Sequence, residues 1–172
     1  MNPNHWHTVW SFIAIATGLS GGVGWLAKHQ ILKLKPIMAF SETQWQFMRI
    51  WVKVALVIGV ILPAIMLVVF WERSLPRQFF SCYLVAVAVQ LVCEMSFSRW
   101  LCPSVVVTIG TVYTGFRIWQ LWSGINLVTY PQPWLGLLWL VWLFWVANLI
   151  MLIAMAFPSI LPESKKNLVN LG

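Results

Sequence analysis

The chain has 172 residues, of which 60% are hydrophobic and only 9% are charged, and its formal net charge is +7. A soluble domain carries about a quarter charged residues and cannot leave so much apolar surface in water, so that class is excluded. The 13 Trp residues fit membrane interfaces, and the basic excess fits loop charges and anionic lipid. Nucleic-acid binding is not expected, because no basic helix or aromatic-basic module accompanies the charge.

Five hydrophobic segments reach the length of about 20 residues that a membrane-spanning helix needs. They predict an all-α integral membrane protein, with residues 1–172 forming one helical bundle. The first segment is glycine-rich, and a cleavable signal peptide is the alternative, which would leave four spans. The absence of Lys and Arg before it favours a retained helix. The segments are Thr8–Ala27, Gln46–Trp71, Phe79–Ser98, Pro103–Leu127 and Trp134–Phe157.

The first segment carries small residues at four-residue spacing, at Ala14, Gly18 and Gly22. Such a face allows two helix backbones to approach closely. Packing inside the bundle is the first interpretation of this stripe, and a homodimer is the second.

The connection between the first two segments, residues 28–45, is the one long loop. It alternates lysines with apolar residues, so it is either a segment lying on the membrane surface or a lid over one end of the bundle. At its end, Ser41 followed by Gln44 resembles a capping box and predicts a helix start.

Basic residues are distributed unequally between the two predicted ends of the bundle. The end with the N-terminus holds Arg73 and Arg77, and the rest lie at the other end or inside a span. The positive-inside rule therefore predicts an outer N-terminus and a cytoplasmic C-terminus. The basic residues expected on the cytoplasmic side are Lys28, Lys33, Lys35, Arg49, Arg99, Lys165 and Lys166.

Four spans each place one polar residue at a similar depth. At 1.5 Å per residue, Lys53 lies about 10 Å, Glu94 about 8 Å, Thr111 about 12 Å and Asn148 about 13 Å from the cytoplasmic end. An ionised carboxylate alone in hydrocarbon is costly, so Glu94 should face the bundle interior with a partner or be protonated. Lys53 is the best cation by depth, whereas Arg117, at about 21 Å, is expected to be a poor partner. The layer either holds the helices together through polar contacts or forms a functional site.

Catalytic and metal-binding patterns are absent from the sequence. There is no Asp, no phosphate loop and no HExxH, and the three His residues lie at or near the ends of the first segment. Cys82, Cys93 and Cys102 lack CxxC spacing and are interpreted as small apolar residues. We therefore expect no enzyme and no metal site.

The chain resembles the translocator protein family, also called tryptophan-rich sensory proteins, across nearly its whole length. The resemblance rests on five Trp-rich helices with one long first loop and on three local matches. These are "LKP" before the second helix, "VQLVCEMSFSRW" on the third and "PWLGLLWLVWLFWVANLI" on the fifth. Glu94 stands where the family has Asn.

The resemblance implies a pocket closed by the long loop, for a flat hydrophobic ligand such as a porphyrin, another tetrapyrrole of chlorophyll type, or a sterol-like lipid. Gln90, Glu94, Trp142 and Asn148 would line it, with Trp45 near the lid and Lys53 in the polar layer. The alternative function is a non-catalytic subunit of a larger respiratory or photosynthetic membrane complex. In that case the Trp-rich helices would contact partner subunits, lipids or pigments. A small channel or proton-coupled carrier that uses Glu94 as its titrating group is a third possibility.

Overall fold

The computed structural model describes residues 5–32, 40–102, 104–127 and 129–160, and these residues form five long helices and no strand. Four of the helices are long and apolar enough to cross a membrane, which confirms the predicted all-α integral membrane bundle. These four are α1 (Trp6–Lys28), α2 (Glu42–Val69), α3 (Ser74–Trp100) and α5 (Trp134–Ile160). The remaining helix is α4 (Val105–Leu127).

Helix α4 is less apolar than the others because it lies in the middle of the bundle. It packs against α1, α3 and α5, and its 23 residues extend over about 34 Å. Its polar side chains face these neighbours, and Thr114, Arg117 and Gln120 are all buried. A helix surrounded by other helices can carry polar residues that a lipid-facing helix cannot.

The ends of α1 and α3 meet at both ends of the bundle. At one end, the Lys28 ammonium group donates a hydrogen bond to the carbonyl oxygen of Trp100, at 3.0 Å. At the other end, Trp6 and Ser74, the first residues of the two helices, line the same cleft. The two helices therefore run in the same direction, as the predicted alternation of spans requires.

Local sequence signals explain the start of α2 and the irregular turn inside it. The Ser41 amide donates to Gln44 Oε1 at 2.9 Å, and the Gln44 amide donates to Ser41 Oγ at 3.3 Å, which confirms the capping box. A π-helical turn, Val57–Ile61, is followed by Pro63, which has no amide hydrogen to continue the regular helix. A second π-helical turn in α5, Leu152–Ala156, precedes Pro158 in the same way.

The small-residue stripe of α1 does not pack inside the bundle, so that interpretation is wrong. Ala14, Gly18 and Gly22 are exposed, and a Cβ atom added at either glycine would meet nothing within 4 Å. The bundle instead uses a second stripe at the same spacing, Ala16, Ser20 and Gly24, all of them buried. Four-residue spacing alone cannot tell one face of a helix from another. The homodimer stays a prediction.

Predictions about the long loop lie partly outside the described residues, which exclude 33–39. Helix α1 ends at Lys28, and Ile31 and Leu32 beyond it are exposed. Phe40 is half-buried. The choice between a surface segment and a lid stays open. Cys82, Cys93 and Cys102 are buried and form no disulfide, as expected of small apolar residues.

Candidate ligand-binding site

Arg117 on α4 is the largest fully buried side chain in the described structure, with 2% of its surface exposed. Its terminal nitrogen donates a hydrogen bond to the side-chain oxygen of Gln90 on α3. Its guanidinium carbon lies 4.1 Å from the centre of the Trp145 ring on α5. A buried cation needs such partners, because desolvation otherwise disfavours it strongly. Arg117 thus joins three helices at one point.

Gln90 connects Arg117 to the carboxylate of Glu94. Its side-chain nitrogen donates to Glu94 Oε1, one helical turn further along α3, while its oxygen accepts from Arg117. The Gln90 side chain therefore offers its oxygen as an acceptor to the guanidinium group and its N–H as a donor to the carboxylate. Gly110 on α4 lies next to the carboxylate, since a Cβ atom added there would be 3.8 Å from Glu94 Oε1, an ordinary van der Waals distance. The three side chains form a bridged ion pair.

A second group of hydrogen bonds ties Asn148 into the same region. The indole N–H of Trp51 on α2 donates to Asn148 Oδ1 at 2.7 Å. The Asn148 amide donates to the Thr114 hydroxyl on α4 at 3.2 Å. Asn148 therefore links α2, α4 and α5 at the depth of the bridged ion pair.

The Trp145 ring is held in place by a chain of hydrogen bonds that ends on the π-helical turn of α2. Its N–H donates to the Tyr83 hydroxyl at 2.7 Å, and that hydroxyl donates to the Gly59 carbonyl oxygen at 2.7 Å. Pro63, four residues after Gly59, has no amide hydrogen to offer this carbonyl. Tyr83 supplies the missing donor. The two hydrogen bonds of its hydroxyl group hold the Trp145 ring with one face against the Arg117 guanidinium group.

Four of these polar side chains line a cavity of about 200 Å³ between α2, α3, α4 and α5. Glu94, Gln90, Arg117 and Asn148 are its polar lining residues, and the other walls are apolar or aromatic. A few convergent polar groups in an otherwise apolar cavity are the usual composition of a small-molecule site. The apolar lining residues are Met48, Trp51, Val52, Ala55, Leu56, Val60, Val87, Leu91, Val106, Trp145, Met151 and Leu152.

The cavity reaches the surface of the bundle between α2 and α3. Val52, Leu56 and Leu91 line it and are themselves exposed, Leu91 by 44%. The first part of α2, Glu42–Leu56, has no fully buried residue and is therefore less covered by its neighbours than the other helices are. These exposed lining residues are apolar, which suits a surface in contact with hydrocarbon.

The structure brings three of the predicted site residues together. Gln90, Glu94 and Asn148 line the same cavity, and Glu94 and Asn148 are members of the predicted polar layer. Thr111 takes no part, because its hydroxyl donates to the carbonyl oxygen of Val107 in its own helix, at 2.8 Å. The polar layer therefore exists in part.

The other three predicted residues lie elsewhere. Lys53 is exposed on α2, because it follows Trp51 by two residues and so faces a different direction. Trp142 donates to the Ile118 carbonyl oxygen at 3.2 Å and packs against Trp139 and Trp122, outside the cavity. Trp45 is exposed at the start of α2.

The expectation that Arg117 is a poor partner for Glu94 is wrong. Counted along the helices, Arg117 lies about 18 Å from the start of α4, and Glu94 about 9 Å from the end of α3. Side chains in a helix lean towards their own N-terminus. Because α3 and α4 run in opposite directions, Arg117 leans towards Glu94, and Glu94 leans towards Arg117. Gln90, one turn beyond Glu94, closes the remaining distance.

Sequence reasoning also missed the two tryptophans of the cavity, Trp51 and Trp145. A signal for Trp145 is its position three residues before Asn148, which places both on one face of α5. No comparable signal marks Trp51 among the many Trp residues. Comparisons with family models, curated proteins and solved structures found no match to this chain.

Proposed function

We propose that this protein is a non-catalytic membrane protein that binds an amphipathic lipid in the cavity between α2, α3, α4 and α5. The polar head of the ligand lies at the bridged ion pair of Arg117, Gln90 and Glu94. Its apolar chain leaves through the opening between α2 and α3. The observation that carries the proposal is the bridged ion pair in the lining of a cavity whose exposed lining residues, Val52, Leu56 and Leu91, are apolar.

The unused hydrogen-bonding capacity of the ion pair defines the head group. Arg117 Nε has no hydrogen-bond partner among the described residues, but protein atoms cover it, so a ligand in the cavity does not reach it directly. The Glu94 carboxylate, which lines the cavity, accepts hydrogen bonds and donates none when ionised, so it calls for a donor from the ligand. A hydroxyl group supplies that donor and keeps acceptor capacity for the neighbouring polar side chains. The ligand class is therefore a hydroxyl-bearing lipid.

The size of the cavity favours a chain over a macrocycle. Its volume of about 200 Å³ lies below the range of about 300–1,000 Å³ that encloses drug-sized molecules. An acyl or isoprenoid chain enters lengthwise and leaves part of its length in the bilayer. A tetrapyrrole, which the resemblance to the translocator family would favour, needs a wider cavity. The resemblance itself remains a proposal.

The orientation in the membrane is proposed from charge alone, with the N-terminus outside and the C-terminus cytoplasmic. Lys28, Arg49 and Arg99 then face the cytoplasm, and Arg73 and Arg77 face outward. Single cysteines introduced at Glu72 and at His29, both exposed, test this with a membrane-impermeant maleimide on intact cells. Labelling at position 72 alone is expected, and labelling at position 29 alone would reverse the orientation.

Purification in mild detergent, followed by organic extraction and mass spectrometry, tests the function. The chain is expected to elute as a small particle that carries a hydroxyl-bearing lipid enriched over the bulk membrane extract. A coloured extract would indicate that the bound ligand is a tetrapyrrole and not a lipid. Stoichiometric co-purification of larger subunits, with no enriched lipid, would favour the accessory-subunit function instead.

A further inference from the structure

A second cavity, of about 510 Å³, lies at the end of the bundle where α1 and α3 begin. We call it the interfacial cleft, and six residues line it. These are Trp6, Trp71, Ser74, Arg77, Gln78 and Ser81. It shares no lining residue with the cavity between α2, α3, α4 and α5, and Ser81 and Val87, the nearest lining residues of the two on α3, are six residues or about 9 Å apart along the helix.

The position of the cleft places it at a membrane boundary. Trp6 and Ser74 are the first residues of their helices, and Trp71 lies in the turn between α2 and α3. Trp rings are favoured at the level of the lipid head groups, where one side of the ring meets hydrocarbon and the N–H meets water. Both Trp side chains of the cleft are exposed, as such a location requires.

The polar lining of the cleft consists of hydrogen-bond donors around one positive charge. The Arg77 guanidinium carbon lies 5.7 Å from the centre of the Trp71 ring, which stacks the cation while leaving its N–H groups available. Two serine hydroxyls and the Gln78 amide complete the set. None of the lining residues is acidic. The neighbouring Glu72 is exposed and does not line the cleft.

We propose that the interfacial cleft binds the head group of an anionic phospholipid, with Arg77 on the phosphate. A guanidinium matches the oxygens of a phosphate with two parallel hydrogen bonds, and hydroxyl groups add further donors. A phospholipid delivers its phosphate at the level of the Trp rings and packs its glycerol and upper chains against them. A free phosphate ion gains no such contact. Anionic lipid is favoured over zwitterionic lipid because the lining carries only positive charge.

The test measures binding of phosphatidylglycerol to the delipidated chain by native mass spectrometry, with phosphatidylcholine as the second lipid. The variant is Arg77→Gln, and the matched control is Arg73→Gln. Arg73 is also exposed and stacks on Phe70 at 5.6 Å, but it does not line the cleft. One basic residue near anionic lipid is worth about 1 kcal/mol, so about fivefold weaker phosphatidylglycerol binding is expected for Arg77→Gln alone.

Several outcomes would overturn the proposal. Equal phosphatidylglycerol binding by the wild type and Arg77→Gln would remove the site, and so would equal losses in both Arg variants. If millimolar inorganic phosphate displaced the lipid in an Arg77-dependent way, the cleft would bind the free anion and not a lipid. Size-exclusion profiles that match the wild type show that the variants fold.

Discussion

Arg117, which is fully buried, and Glu94, which is half-buried, carry charged groups inside the bundle. A charged side chain at the centre of a membrane helix costs about 2.5–3.5 kcal/mol on insertion scales, and more without relaxation. Arg117 offsets this cost through Gln90, the Trp145 ring and the nearby carboxylate. Polar contacts that only hold helices together would not require a cavity at the ion pair.

A double-mutant cycle of Glu94→Gln and Arg117→Gln tests the bridged ion pair. Each single substitution leaves an uncompensated buried charge, so each is expected to destabilise the protein. The double variant is expected to be less destabilised than the sum, with a coupling energy of about 0.5–3 kcal/mol. Unfolding in a titration with sodium dodecyl sulfate measures these free energies.

The control for the cycle is Glu42→Gln. Glu42 lies 3.7 Å from Arg49 in an exposed ion pair, and such pairs contribute about 0–1 kcal/mol. The control should therefore stay close to the wild type. Strictly additive effects of Glu94→Gln and Arg117→Gln would show that the two charges do not act together.

At the scale of the elements, α2 is the helix that shapes the cavity. Its first part, Glu42–Leu56, has no buried residue, whereas its π-helical turn is tightly packed. A Cβ atom added at Gly59 would lie 2.4 Å from Cζ2 of Trp145. The turn thus packs tightly against α5, whereas the first part of α2 reaches α5 through the long side chain of Trp51.

Substituting Gly59 by Ala tests this tight packing. The added methyl group must displace the Trp145 ring or α2, and overpacking of this kind costs about 1–3 kcal/mol. Gly18→Ala is the matched control, since nothing lies within 4 Å of its added Cβ atom, and Ala favours helix over Gly. Gly59→Ala should lower the melting temperature in detergent, and Gly18→Ala should keep or raise it. Equal melting temperatures for both variants would contradict this account.

The helices and the capping box could be predicted from the sequence because they depend on local composition. The partner of Glu94 could not, because it depends on which way side chains lean on two antiparallel helices. The face of α1 that packs inside the bundle could not be predicted either, since the residues Ala14, Gly18 and Gly22 have the same spacing as the buried residues Ala16, Ser20 and Gly24. Lys53 lies at the depth of the predicted polar layer, but its side chain is exposed on α2. The depth of a residue along a helix does not predict which face of the helix it occupies.

At the scale of the whole molecule, the bundle is a central polar helix surrounded by apolar ones. Helix α4 supplies Arg117 and Thr114 to the interior, and α1, α3 and α5 pack against it. Helix α2 completes the wall only in part, which leaves the opening towards the lipid. The fold therefore combines a fixed polar interior with lateral access, and a lipid-binding protein needs both features.

The most direct test of this account counts the lipid retained per chain by native mass spectrometry, in the wild type, Leu91→Trp and Leu143→Trp. Both leucines are exposed apolar residues, by 44% and 55%, so neither substitution disturbs the core. Leu91 lines the mouth of the cavity, and Leu143 does not. A bound lipid is expected in the wild type and in Leu143→Trp and is expected to be lost in Leu91→Trp. Equal retention in all three proteins would contradict the proposed site.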